Sequence, residues 1–130
     1  MLALQVLETF IMASETILVI DDDPDIRFFC TNLLEAEGYR VITADNEADG
    51  LELAAKESPA LIILDIMMER INSGYALAEK IGKETPILMF SSMLNPSDAT
   101  FDSDVAPYRD IVSKPVGGAI LLEKVRGLIG

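Results

Sequence analysis

Five polar residues stand at the ends of four short predicted strands in this sequence, and their types could do chemistry together. They are Asp21, Asp22, Asp65, Ser91 and Lys114. Three carboxylates that converge on one point raise one another's pKa, and a hard divalent cation such as Mg²⁺ relieves that repulsion. An ammonium group and a hydroxyl would then remain to hold a further anion. These groups together are suited to carrying a phosphoryl group on a carboxylate.

The stretch 60–65 is the element that must position the third aspartate. It has five apolar residues followed by one carboxylate, Asp65. An apolar run without alternation is typical of a strand that is buried on both faces of a parallel sheet. Open α/β sheets bind ligands at the carboxyl ends of their strands, where Asp65 would lie. A single strand-end aspartate can equally well open a loop to solvent, so the hypothesis depends on all five residues together.

The remaining elements alternate along the chain in the same way. Strands are predicted at 16–20, 39–43, 60–65, 86–90 and 110–113, and helices at 24–37, 46–57, 73–82 and 117–129. Residues 92–109 have poor apolar periodicity, so a further helix starting after Pro96 is expected to be short. Five strand–helix units predict an α/β fold in which helices cover both faces of one parallel sheet.

Local signals predict some helix ends and faces. Asp23 is placed to cap the first helix, Pro24 to begin it and Gly38 to end it. In the second helix the apolar spacing predicts an inward face. The residues of that face are Ala48, Leu51 and Ala55.

Composition excludes several classes of protein. The chain has 130 residues, which suits one domain, and a net charge of −12 that would repel a phosphate backbone, so direct nucleic-acid binding is not expected. It has no histidine, which excludes histidine metal sites and histidine-based catalytic triads. Cys30 is the single cysteine and falls on an apolar helix stripe, which indicates core packing in a reducing, cytoplasmic compartment.

Residues 1–14 are expected to be an extension, with the domain at 15–130. The first eleven residues are apolar but lack a basic start and contain Glu8, so they fit a signal peptide poorly, and they are too short to span a membrane. Leu4, Leu7 and Ile11 share one helical face. The segment is therefore interpreted either as an upstream extension or as a short docking helix.

Four stretches of the chain resemble, in order, the motifs of the receiver domain of two-component response regulators. They are 17–27, 61–68, 85–92 and 112–115. The resemblance covers about Thr16 to the end and implies a flavodoxin-like, doubly wound sheet of order 2-1-3-4-5 with five helices. It also implies that Asp65 accepts a phosphoryl group from a histidine kinase or phosphotransferase. The protein would then be a switch that acts on a downstream effector or on a second copy of itself, with no enzymatic turnover beyond its own phosphorylation and dephosphorylation.

The same resemblance implies a role for each site residue. Asp22, Asp65 and the backbone carbonyl of Met67 would bind Mg²⁺ directly, with Asp21 binding through water. Ser91 would be the switch hydroxyl, and Lys114 would bind the phosphoryl group. The peptide bond between Lys114 and Pro115 would be cis.

Three positions depart from the pattern of the family. Glu69 stands where proline is usual, Gly74 comes one residue later than the usual glycine, and Ile111 replaces a common aromatic residue. The loop after the acceptor is therefore predicted to be longer than usual. Ile111 offers no aromatic ring to move with the switch hydroxyl.

Two alternatives come from other classes of protein. A haloacid dehalogenase-type phosphohydrolase would use the turn 21–23 as its catalytic pair, but Asp25 stands where threonine or valine is usual. A receiver-like module could bind partners without phosphate, although the complete set of site residues argues against it. A dinucleotide or P-loop site is excluded because no glycine-rich loop follows the first strand.

Overall fold

A five-stranded parallel sheet forms the centre of the molecule. The computed structural model describes residues 15–68, 73–91, 109–114 and 117–129. The strands are β1 (Thr16–Ile20), β2 (Arg40–Ala44), β3 (Leu61–Asp65), β4 (Ile87–Ser91) and β5 (Asp110–Ser113). Their order across the sheet is β2-β1-β3-β4-β5, which confirms the predicted fold class and the predicted strand order.

Four helices occur within the described ranges. They are α1 (Pro24–Ala36), α2 (Glu47–Glu57), α3 (Ser73–Ile81) and α4 (Gly118–Ile129). The fifth helix expected after Pro96 and the helical face expected in residues 1–11 lie outside the described residues. No helix in the described ranges is both long enough and apolar enough to cross a membrane.

The core has two layers, one on each face of the sheet. Side chains of α1 and α4, among them Cys30 and Leu121, are fully buried with Val19 and Phe90 against one face. Leu77 of α3 is buried in a second cluster on the opposite face, and α2 packs partly buried side chains against that cluster. All five residues of β3 are buried, which explains why its sequence does not alternate.

The predicted ends of α1 are confirmed. The Asp23 side chain accepts a hydrogen bond from the Asp25 backbone N–H at 2.9 Å, and Pro24 is the first helical residue. Gly38 follows the helix with a φ of 95°, a conformation that glycine adopts without steric cost. The chain therefore leaves β1, makes a tight capped turn and returns beside the sheet, which keeps Asp21 and Asp22 at its edge.

The predicted inward face of α2 is wrong. Ala48 and Ala55 are exposed, and Leu51 keeps 36% of its surface in solvent. The helix instead buries Gly50, whose added Cβ would lie 2.8 Å from the Ile20 side chain. Two further apolar side chains of the helix, Leu53 and Ala54, pack against the second core layer. The inward face therefore begins at a glycine, which the predicted apolar pattern did not include.

Candidate functional site

The carboxyl ends of four strands bring the predicted site residues to one edge of the sheet. In the register of the sheet, Ile20 lies opposite Leu64, and Asp65 lies opposite Phe90. Ser91 is the last residue of β4 and lies opposite Ser113, directly before Lys114. The residues at the ends of β1, β3, β4 and β5 therefore lie at the same edge of the sheet, as expected for parallel strands.

Asp21 is held by three kinds of contact at the end of β1. Its backbone N–H donates to the Ala44 carbonyl at 3.1 Å, and its Oδ1 accepts from the Asp23 backbone N–H at 2.9 Å. Its other oxygen, Oδ2, accepts from Lys114 Nζ at 2.8 Å. Only 2% of the residue is exposed, whereas its neighbour Asp22 is exposed. The pair therefore consists of one fixed, buried carboxylate and one that faces solvent.

Asp65 lies at the end of β3 and is also buried, with 4% of its surface exposed. Its Oδ1 accepts from the Met67 backbone N–H at 3.2 Å, and its Oδ2 lies 3.4 Å from Lys114 Nζ. The next residue, Ile66, donates its backbone N–H to the Phe90 carbonyl at 3.0 Å, which anchors the start of the following loop. The Asp65 carboxylate thus lies at the end of a strand whose five residues are all buried.

The electrostatics of the site follow from these contacts. Burial, followed by the charge of Asp21, raises the pKa of Asp65 to about 6, although Lys114 acts in the opposite direction. Burial alone would lower the pKa of Lys114, but the hydrogen bond and charge of Asp21 together with Asp65 outweigh it, so the pKa of Lys114 is raised. The lysine is therefore held as an ammonium ion between two carboxylates.

Three carboxylates at this edge have the chemistry of a hard-cation site. One carboxylate oxygen of each of Asp21, Asp22 and Asp65 lies within 4.8 Å of an oxygen of the other two. These three residues form the acidic cluster. Oxygen ligands of this kind suit Mg²⁺, which keeps several water ligands. The cluster has three carboxylates against the single Lys114 ammonium, so an added cation would reduce its repulsion.

The remaining predicted site residues are only partly described. Met67 is half-buried, and its side chain packs against the core layer that contains Leu77. Ser91 ends β4, but its side chain lies outside the described part of the structure. Pro115 and Glu69 also lie outside the described residues, so the predicted cis peptide and the first departure in the loop stay predictions.

Gly74, the glycine that comes one residue late, is the second residue of α3 and still contacts the end of β3. Its backbone N–H donates to the Ile66 carbonyl at 2.7 Å, and a Cβ added to it would lie 2.6 Å from the Ile66 Cα. Only glycine permits this close approach of two backbones. The third departure, Ile111, is half-buried and packs against the same core layer as Met67.

Arg27 is a contact of the site that sequence reasoning did not identify. Its Nη1 donates to the backbone carbonyl of Asp21 at 2.7 Å, and its own backbone N–H donates to the Asp23 carbonyl at 3.1 Å. Its position in the first turn of α1, after the cap Asp23, was the available signal. An arginine there can reach back over the turn that carries the aspartates.

The fold and this strand-end site have clear counterparts among known proteins. The family model of the response regulator receiver domain matches residues 17–126. The chain belongs to this family, whose members are the phospho-accepting receivers of two-component systems.

Individual relatives cover the chain to different extents. The chemotaxis protein CheY4 of Vibrio cholerae matches with a TM-score of 0.79 at 26% identity, covering 89% of this chain and 99% of that one. A CheY-like receiver domain of Methanospirillum hungatei has the same TM-score at 29% identity, over 89% of this chain and 94% of its own.

Curated relatives differ in length. Protein PilH of Pseudomonas aeruginosa is 28% identical over 118 residues, which are 87% of this chain and 96% of PilH. The probable transcriptional regulator ycf27 of Porphyra purpurea is 33% identical over 117 residues, which are 88% of this chain but only 47% of that protein. The chain thus spans about half the length of the ycf27 relatives that it matches.

Proposed function

We propose that Asp65 is the phospho-acceptor of this receiver and that phosphorylation switches a protein-interaction surface. The observation that carries the proposal is the position of Lys114, whose Nζ lies 2.8 Å from Asp21 and 3.4 Å from Asp65. An ammonium group beside the acceptor can bind an incoming phosphoryl oxygen without leaving the site. The same contact fits neither a surface ion pair nor an ordinary loop aspartate.

In the proposed reaction a carboxylate oxygen of Asp65 attacks the phosphorus of a phosphohistidine on a kinase or phosphotransferase. The new O–P bond forms as the P–N bond of the donor breaks, and the imidazole leaving group takes a proton from solvent. Asp65 must be ionised to attack, which its pKa of about 6 allows at neutral pH. Lys114 neutralises charge on the transferred group, and the Ser91 hydroxyl is proposed to donate to a third oxygen.

Mg²⁺ is the proposed cofactor, because the three carboxylates of the acidic cluster fit a hard cation. Asp22, Asp65 and the Met67 carbonyl would hold it directly, and Asp21 would hold it through water. When bound, it supplies positive charge for the phosphoryl oxygens. This chain's own residues orient the acceptor and hold the lysine, so the only chemistry proposed is self-phosphorylation and loss of the same group by hydrolysis.

The proposed partners follow from the chemistry of a receiver. A histidine kinase or phosphotransferase donates the phosphoryl group, and a downstream effector or a second copy of this chain reads the phosphorylated state. Neither nucleic acid nor a membrane is proposed as a direct partner, since the net charge is −12. We place the protein in the cytoplasm on the basis of its buried free thiol, Cys30. Residues 15–130 form the proposed domain, and 1–14 an extension.

Incubation with acetyl phosphate and Mg²⁺ tests the proposal. Intact-mass spectrometry should show one added phosphoryl group on the wild type and none on Asp65→Asn. Asp110→Asn is the matched control, because Asp110 also pairs with a lysine, Lys124, at 2.7 Å but lies outside the acidic cluster. Labelling of Asp65→Asn at the wild-type level, or none of the wild type, would refute the proposal.

A further inference from the structure

Arg27 makes a charged contact to the backbone of the turn that carries Asp21 and Asp22. Among the described residues, its Nη1 donates to the Asp21 carbonyl at 2.7 Å, and its own N–H donates to the Asp23 carbonyl at 3.1 Å. The arginine is half-buried, so its guanidinium is only partly hydrated. A charge-assisted hydrogen bond in such a position is stronger than one between neutral groups.

The contacted carbonyl belongs to the peptide that joins Asp21 to Asp22. Asp21 is already fixed on both sides, through its N–H to Ala44 and its carboxylate to Lys114. Fixing its carbonyl as well determines the plane of the following peptide, because the peptide group is rigid. That plane sets the direction in which the Cα of Asp22 presents its side chain.

Asp22 depends on this backbone because its own side chain is not held. It is exposed, and within the described ranges its carboxylate has no hydrogen bond or ion pair. It nevertheless shares the 4.8 Å cluster with Asp21 and Asp65, whose charges repel it. The lysine contacts both of the other carboxylates. The backbone conformation of the turn therefore determines the position of the Asp22 carboxylate.

We infer that Arg27 is a positioning residue that holds Asp22 in the acidic cluster and thereby sets the affinity of the site for Mg²⁺. The inference rests on the proposed function, in which Asp22 binds the cation directly. Loss of this hydrogen bond should weaken Mg²⁺ binding about 3–10-fold, since a contact that acts through the turn transmits only part of the energy of one charge-assisted bond. The rate of phosphorylation at saturating Mg²⁺ should stay close to that of the wild type, since Arg27 contacts neither Asp65 nor Lys114 in the structure.

Isothermal titration calorimetry of Mg²⁺ into the full chain, without a phosphodonor, gives the direct readout. Arg27→Met removes the donors and keeps most of the apolar stem, whereas Arg27→Lys keeps the charge and should recover part of the affinity. Arg40→Met is the matched control, because Arg40 contacts Glu57 at 3.3 Å at the opposite edge of the sheet. We expect a weaker Kd for Arg27→Met and an unchanged Kd for Arg40→Met.

Phosphorylation by acetyl phosphate at varied Mg²⁺ separates positioning from a loss of folded protein. In Arg27→Met the half-saturating Mg²⁺ concentration should rise while the maximal rate holds. A lower maximal rate with an unchanged half-saturating concentration would overturn the inference, as would equal Mg²⁺ affinity in the wild type and both Arg27 variants. Absence of Mg²⁺ binding by the wild type would instead refute the proposed function, and the inference with it.

Discussion

Lys114 and Asp21 form a nearly buried ion pair, with Nζ and Oδ2 2.8 Å apart and only 13% and 2% of the two side chains exposed. The same ammonium lies farther from Asp65, the proposed acceptor, at 3.4 Å. The lysine is therefore held more closely by Asp21 than by Asp65. An incoming phosphoryl group would compete with Asp21 for a cation that is already in place.

Removal of this lysine should destabilise the fold. Lys114→Ala leaves the buried Asp21 and Asp65 without their shared cation, and we expect a loss of about 1–3 kcal/mol in the free energy of unfolding at pH 7.5. The loss should shrink at pH 5, because Asp65, with a pKa of about 6, then carries less charge. Urea unfolding in EDTA measures both values.

Lys124→Ala is the control for that substitution. Its ion pair with Asp110 is as short, at 2.7 Å, but the two side chains are 39% and 33% exposed. An exposed pair of this kind contributes about 0–1 kcal/mol. Equal losses in the two variants would contradict a special role for the buried pair.

Stability of the metal-free protein should depend on pH through Asp65. Its pKa is about 6 in the fold against an ordinary value of 3.8, so the folded state binds the proton more tightly than the unfolded state. The contribution of Asp65 to the free energy of unfolding therefore falls as pH rises from 3.8 to about 6, and its full cost is present above that window. The free energy of unfolding is lowered by at most about 3 kcal/mol, because each unit of pKa difference between the folded and unfolded states corresponds to about 1.36 kcal/mol.

Asp65→Asn tests this linkage. The variant should be more stable than the wild type at pH 7.5, by about 1–3 kcal/mol, and the difference should decrease towards pH 4. Urea unfolding in EDTA across this range measures it, with Asp110→Asn as the control for loss of an acid elsewhere. A difference that does not change with pH would show that Asp65 does not carry this cost.

The two glycines Gly74 and Gly127 should respond oppositely to alanine. At Gly74 a Cβ would lie 2.6 Å from the Ile66 Cα, and backbone cannot move aside cheaply, so Gly74→Ala should cost about 1–3 kcal/mol. Gly127 is within α4 with nothing inside 4 Å, so Gly127→Ala should gain about 0.5–1 kcal/mol. Thermal unfolding of both variants measures this, and a tolerated Gly74→Ala would contradict the close approach.

The thiol of Cys30 should be inert in the native protein. Burial, followed by the charge of Asp21, raises its pKa to about 12, so almost no thiolate exists at pH 8. We expect Ellman's reagent to react slowly with native protein and at once in 6 M guanidinium, a concentration above the roughly 5 M midpoint of even very stable domains. Rapid labelling without denaturant would contradict the packing of α1.

The strand order, and the proximity of the site residues at one edge of the sheet, could be predicted from the sequence because the topology of a parallel sheet determines both. Runs such as 61–65, buried on both faces, are recognisable without alternation, and parallel strands end at one edge. The face of α2 was predicted wrongly because its contact with Ile20 is made by Gly50, which adds no side chain to an apolar pattern, although Leu53 and Ala54 pack against the same core layer. The contact of Arg27 could not be predicted from side-chain types either, because its partner is a backbone carbonyl.

Mapping the residue that carries the phosphoryl group tests most directly whether Asp65 is the acceptor. Wild-type protein is treated with acetyl phosphate and Mg²⁺ and then with borodeuteride, which reduces an aspartyl phosphate to deuterated homoserine, and the peptides are sequenced by mass spectrometry. We expect homoserine at Asp65 and at neither Asp21 nor Asp22, with the signal lost when acetyl phosphate is omitted. Homoserine at Asp21 or Asp22, or at no aspartate of the chain, would contradict it.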